Sequence, residues 1–381
     1  MQDLLCALCS APFATPEYTG PEVFDYSDTA VSLGEGYERW LSLSGNKWLE
    51  HLRAVGVNSS TGEKRCYISG IGTNTYSTSI CVEPGDHPNA PASVGGSNDP
   101  VDLDAYCCWK STRNGTGVFP VHVNCLDILK KVFRQEGLDL DADILYEFLR
   151  KALLSYSHSY SHAVSFDDEY LDSDSVSDYT EMATLVPQSK QSEEESFVSD
   201  PMDIRGLNEY LKNLPLVTAP GPAPSRHAEH VSCVHDPFAS LPSELLLMIM
   251  LLIPKDSLQS FFFASSAARS IWLPNTLFRT RLAVDMPWAW EVIESPLFKR
   301  TDVDWRCVYT HLRKEADREW TDAMPGLANR CRIWDVCEQA AADYKQLAAK
   351  AEKAASATKE AGCRRKARLM EYFNSKRIYP C

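Results

Sequence analysis

Nothing in this 381-residue sequence is long and apolar enough to cross a bilayer. The longest apolar run, Leu245 to Ile253, falls well short of the roughly 18 residues a spanning helix needs. The first ten residues, MQDLLCALCS, hold Asp3 and no lysine or arginine, so no secretory leader is expected. Both absences point to a cytoplasmic and/or nuclear chain with no membrane partner. In that setting 13 scattered cysteines, an odd number, read as free thiols or metal ligands rather than a disulfide framework. The sequence also lacks a P-loop, GxGxxG, GxSxG and HExxH, so none of the common phosphate, dinucleotide, serine-nucleophile or metalloprotease signatures argues for an enzyme. It shows no WD40, kelch or leucine-rich period. Basic charge is short: 38 Lys and Arg against 52 Asp and Glu give −14, which argues against a nucleic-acid partner.

The charge that is present is concentrated. Asp167 to Asp203 carries 12 acids against Lys190 alone, so the rest of the chain is near neutral. That tract has too few large apolar residues to offset the entropy of ordering it. Its serines at 173, 175, 177 and 192 precede acids, as acidophilic kinases require, though a solvated spacer is the plainer reading. With 44% hydrophobic and 24% charged residues, the remainder is ordinary globular sequence with room for two or three domains.

The expected organisation has four parts: a small N-terminal α+β domain over 1–154, an acidic linker and Pro-rich hinge over 155–235, a three-helix module over 236–283, and a helical region over 284–381. The expected fold class is mainly α, ending in one long helix. In the N-terminal part, Trp40, Leu41, Trp48, Leu49 and Leu52 have helical spacing, so Tyr37 to Val57 is expected to be a helix interrupted at Gly45 and stopped by Gly56. Arg65 to Ile71, Ser79 to Val82 and Val118 to Val123 read as short extended runs, and Cys125 to Gln135 as an amphipathic helix. Asp141 caps a further helix through Leu153, and Asp203 to Leu214 reads as a short one. Beyond residue 283, a helix is expected from Asp302 through Trp305, Val308, Tyr309 and Leu312. From Leu327 to about Met370 the 3-4 spacing of Trp334, Cys337, Ala341, Tyr344, Ala348 and Ala351 suits one long packing helix or a weak coiled-coil seam. The basic cluster Arg364, Arg365, Lys366 and Arg368 reads as a solvated helix end or a nuclear-localisation signal.

The apolar run is the physical oddity. Pro242 and Pro254 bracket one helix, with Glu244 in its first turn where a carboxylate suits the dipole. Yet Leu245 to Ile253 is apolar all round, and a module of this size cannot surround such a helix with its own side chains. Asp256 and Gln259 have capping-box spacing for a second helix carrying Leu258, Phe261 and Phe262, and Ser265 or Ser266 opens a third with Arg269. The ordered set Leu241-Pro242-x-Glu244-Leu245, Ile249, Ile253-Pro254-x-Asp256-x-Leu258, Ser265 and Arg269 resembles an F-box. The sequence departs from the family in the third helix, where Trp272 is shifted one place. The resemblance spans 236–282 and implies docking on the linker subunit of a cullin-based (SCF-type) ubiquitin ligase through Leu241, Pro242, Leu245, Ile249, Pro254 and Leu258. It implies a substrate adaptor in protein degradation, for a protein substrate the sequence does not specify. The alternative is an F-box-like scaffold acting outside the ligase.

Cys6-x-x-Cys9 and His122-x-x-Cys125 each have half-site spacing for a metal, and together make a Cys₃His set, closed and structural in character, for zinc. Cys107 and Cys108 are spare candidate ligands. The plain alternative is buried apolar cysteines beside a hydrogen-bonded core histidine. The layout of CxxC segment, Trp-containing helix, Tyr-Ile-Ser-Gly strand, HxxC helix and F-box resembles a group of fungal F-box proteins, which favours zinc.

Overall fold

The computed structural model describes residues 4, 6–9, 11, 13–14, 44–58, 65–76, 79–85, 99–105, 118–154, 198–217, 236–271, 273–317 and 324–376. The tract at 155–197, most of the hinge, Trp40, Leu41, Cys107, Cys108 and Trp272 lie outside them, as do the side chains of Asp256, Gln259 and the cluster at 364–368. The chain divides into two compact units. The first comprises 1–194, 198–200 and 332–381, and the second 195–197 and 201–331. Residues 332–381 thus cluster with the N-terminal part, whereas the sequence grouped them with 284–331.

The first unit is built on a sheet, which corrects the mainly α expectation. Strands β1 (Leu52–Asn58), β2 (Arg65–Ile68), β3 (Gly72–Tyr76), β4 (Ser79–Val82), β5 (Val101–Asp104) and β6 (Phe119–His122) form one six-stranded antiparallel sheet in the order β2-β1-β3-β4-β5, with β6 paired to β1. The chain is α+β, with ten α-helices among the described residues. Of the helix expected at 37–57, residues 37–43 lie outside the described residues, and the rest is a 3₁₀ turn over Ser44–Glu50 followed by β1. Trp48, Leu49 and Leu52 are all buried, so their spacing marks a core face. What overrides the helix is pairing: β1 bonds to β2 along Val55↔Ile68 to Asn58↔Arg65, and to β6 along Leu52↔His122 to Val55↔Phe119. Gly72 opens β3 where a side chain has no room, because a Cβ there would lie 2.3 Å from the Cys81 carbonyl oxygen.

Helix α1 (Val123–Gln135) follows β6 directly and buries Cys125, Leu126, Ile128, Leu129, Val132 and Phe133. It ends in a Schellman motif: Gly137, at φ 65°, donates to Arg134, and Leu138 donates to Phe133. Asp141 then caps α2 (Ala142–Leu154), accepting from the amides of Asp143 and Ile144.

In the second unit, α3 (Leu207–Lys212) precedes the module at 236–285, where four helices follow in sequence: α4 (Ser243–Leu252), α5 (Lys255–Ala264), α6 (Ser266–Ser270) and α7 (Asn275–Asp285). Pro242 and Pro254 occupy the N-cap positions of α4 and α5. The second helix therefore starts ahead of Asp256, which lies in its first turn and is not its cap. Ser265 caps α6, its hydroxyl accepting from the Ala268 amide at 3.0 Å. Met250, Ala268 and Leu277 form the inner cluster, with Leu247, Leu251, Leu258, Phe261, Phe262 and Leu273 packed against it. Helices α8 (Trp290–Ile293) and α9 (Trp305–Glu315) follow, and α10 (Pro325–Lys376) begins in this unit and continues into the first. Arg330, near the start of α10, is fully buried; it pairs bidentately with Glu291 at 2.6 and 2.8 Å and stacks 3.7 Å over Trp290.

Candidate functional site

The described residues between Leu4 and Ala14 form a hook. The Cys6 amide donates to Ala11, the Phe13 amide to Leu4, and the Ala7 amide to Pro120 of β6. The last contact lays the hook along β6, so Cys6 and Cys9 meet the strand-to-helix junction that carries His122 and Cys125. A sequence separation of over a hundred residues is closed by one strand and one turn. Cys6, Cys9, His122 and Cys125 are all buried, and their ligand atoms lie within 4.8 Å of one another.

The cluster can hold a metal ion. For a tetrahedral ion with Zn–S of about 2.3 Å and Zn–N of about 2.0 Å, ligand atoms stand roughly 3.5–3.8 Å apart, so only small closure is needed. Cys9 Sγ already lies 3.4 Å from His122 Nδ1. The His122 amide donates to Cys6 Sγ at 3.3 Å, the kind of N–H···S contact that stabilises a thiolate ligand. Cys125 sits in the first turn of α1, where the helix dipole favours negative charge. The imidazole is held between Phe13 and Trp48, with ring centroids 4.1 and 4.7 Å away, and Nε2 has no hydrogen-bond partner among the described residues.

Burial and mutual contact shift three of these groups, Cys9, His122 and Cys125. Burial pushes the Cys9 thiol up, but hydrogen bonds from Cys125 and Cys6 and the His122 charge outweigh it and hold Cys9 well below the usual thiol range. Burial pulls His122 down, but the Cys6 and Cys9 charges lift it to about 9. Burial, then the neighbouring Cys6 and Cys9, pushes Cys125 well up. A bound ion would supply positive charge to these sulfurs and the imidazole and so displace protons from them.

Two residues of α10 belong to this surrounding and carry no sequence signal that would have linked them to it. Arg332 Nη1 donates to the Cys9 carbonyl oxygen at 2.6 Å. Cys337 is buried, its thiol pushed well up by burial and then by the charges of Cys9 and Cys6. Lower on the same helix, Tyr344 stacks on Phe133 at 4.6 Å and its hydroxyl donates to the Asp139 carbonyl and accepts from the Asp141 amide.

The second feature is α4. Leu246 and Met250 are buried, whereas Leu245, Met248 and Leu252 are 45%, 58% and 83% exposed and share one stripe of the helix. Phe263 of α5 is 71% exposed. Of the six positions implied for docking, Pro242, Leu245 and Pro254 are exposed and Leu241 and Ile249 half-buried. Leu258 faces the other way, packing on the inner cluster beside a cavity of about 50 Å³ lined by Met250, Phe262, Leu273, Leu277 and Tyr309. Met248, Leu252 and Phe263 are the open positions that the motif does not name.

No family model, no curated protein and no solved structure matches this chain.

Proposed function

We propose that this chain is a non-catalytic adaptor: the 236–282 module docks on the linker subunit of a cullin-based ubiquitin ligase, and another part of the chain presents a protein for ubiquitination. The observation that carries this reading is the outer stripe of α4. Three large apolar side chains at 245, 248 and 252 face outward on a helix whose other face is sealed by Leu246 and Met250. An apolar stripe on an otherwise packed helical module suits a partner surface, and the motif residues named above give that partner its identity. Co-expression with the linker subunit tests it. The full chain co-purifies with the subunit, and Leu245→Asp combined with Leu252→Asp abolishes capture with an unchanged circular dichroism spectrum. A wild-type chain that fails to co-purify overturns the adaptor reading in favour of a scaffold acting outside the ligase.

The same proposal assigns a structural Zn²⁺ to Cys6, Cys9, His122 and Cys125. Three thiolates and one imidazole, all buried, are a closed donor set of the kind structural zinc uses. Elemental analysis of the purified chain is expected to give one zinc per molecule, lost in Cys9→Ser. A metal-free protein overturns it.

A further inference from the structure

We propose that Arg332 is the counter-charge and positioning residue of the Cys6–Cys9–His122–Cys125 centre, so that metal binding and seating of the hook on helix α10 are one event. The inference rests on the zinc reading above and concerns a residue of a different element, far away in sequence. A Zn²⁺ with three thiolates and a neutral imidazole leaves one net negative charge in the interior. A buried charge without compensation is expensive and draws in a partner of opposite sign. Arg332 is only 3% exposed, and it reaches the centre through the backbone of a ligand residue, donating to the Cys9 carbonyl. It therefore ties α10 to the turn that carries the Cys9 thiol. A guanidinium keeps its charge at any accessible pH, so the compensation does not depend on protonation.

One turn and a half beyond Arg332, the chain places the small Cys337 and then Ala340 and Ala341, all buried. These short side chains leave room for α10 to pack closely.

The test is zinc affinity, measured on the full chain by competition with a chromophoric chelator, for wild type, Arg332→Met, Arg332→Gln and Arg332→Lys. The expected result is a loss of about 10–100-fold in Arg332→Met and Arg332→Gln, the size usual for outer-shell partners, with Arg332→Lys retaining most of the affinity through its charge. Should the Met variant not fold, the Gln and Lys pair gives the same comparison. A second readout is alkylation of Cys337 by mass spectrometry: protected in zinc-loaded wild type, and reactive in Arg332→Gln and after chelation. Wild-type affinity in Arg332→Met or Arg332→Gln, or equal losses of thermal stability with and without zinc, overturns the role and leaves Arg332 as a packing contact only. A wild-type chain that binds no zinc overturns the metal assignment itself, a distinct result.

Discussion

Arg281 Nη1 donates to the Ile253 carbonyl oxygen at 2.6 Å and to that of Met250 at 3.2 Å. The last carbonyls of any helix lack intrahelical partners, and Pro254 brings no N–H to supply one. A guanidinium from α7 therefore closes the end of α4. Its Nε pairs with Asp285 at 2.8 Å, and Asp285 accepts from the Tyr309 hydroxyl at 2.8 Å. Burial and then that carboxylate push the Tyr309 phenol up.

Arg281→Met is expected to destabilise the module by about 3 kcal/mol, because it leaves helix carbonyls and the Asp285 carboxylate buried without a cation. Urea unfolding of the full chain measures it. Adding Asp285→Leu to Arg281→Met should recover part of the loss; a double variant worse than the sum of the two single ones contradicts this.

The two faces of α4 should separate stability from binding. Leu246→Ala empties a core position and is expected to cost about 2–5 kcal/mol. Leu252→Lys changes an exposed position and should alter stability by no more than about 0.5 kcal/mol, yet remove capture of the linker subunit. Equal effects of the two on stability would show that the outer stripe is covered within the chain.

Acid should loosen the start of α6. Asp236 accepts from the amides of Ala267 and Phe238 and from the hydroxyls of Ser265 and Ser266. The Ala267 bond first, with the others, lowers its carboxyl to about 2, below the ordinary value of 3.8. A folded-state value below the unfolded one means the contribution is fully present above the unfolded value and is lost as pH falls through the folded value. Thermal scans of wild type should thus decline between about pH 4 and pH 2, and Asp236→Asn should flatten that decline.

Chelation should lower the melting temperature of the zinc-loaded chain, and readdition should restore it. Loading should also release protons, since thiols and imidazolium must give them up to bind. Proton release measured in weakly buffered solution checks this, and its absence in Cys9→Ser is the control.

Local sequence carried the helices well. Between Pro242 and Pro254, over Cys125 to Gln135 and after Asp141, periodicity and caps act within one or two turns, and the structure places helices there. The seam of the last helix holds through Trp334, Cys337, Ala341 and Tyr344, all buried, and fades at Ala348 and Ala351. The sheet was only half legible. β2, β4 and β6 have short apolar runs, but the 3₁₀ turn leading into β1 joins it in a helix-like spacing of Trp48, Leu49 and Leu52, β3 (GTNTY) has almost no apolar side chain, and β5 (VDLD) is half acidic. These strands exist because a partner strand satisfies their backbone, and that partner is invisible in the local pattern.

What the sequence by itself determined is the donor chemistry and the oddity of α4: two half-sites of thiol and imidazole, and a helix apolar on every side. Side-chain type and short spacing suffice for both, because each is read within a few residues. What only the tertiary structure decided is convergence. The bond from Ala7 to Pro120 brings two half-sites together, Arg332 arrives from the last helix to meet the Cys9 carbonyl, and packing by Leu277 and Ala268 chooses which side of α4 is sealed and leaves Leu245, Met248 and Leu252 outside. Those outcomes depend on contacts between residues distant in the chain, whose energy no local window contains.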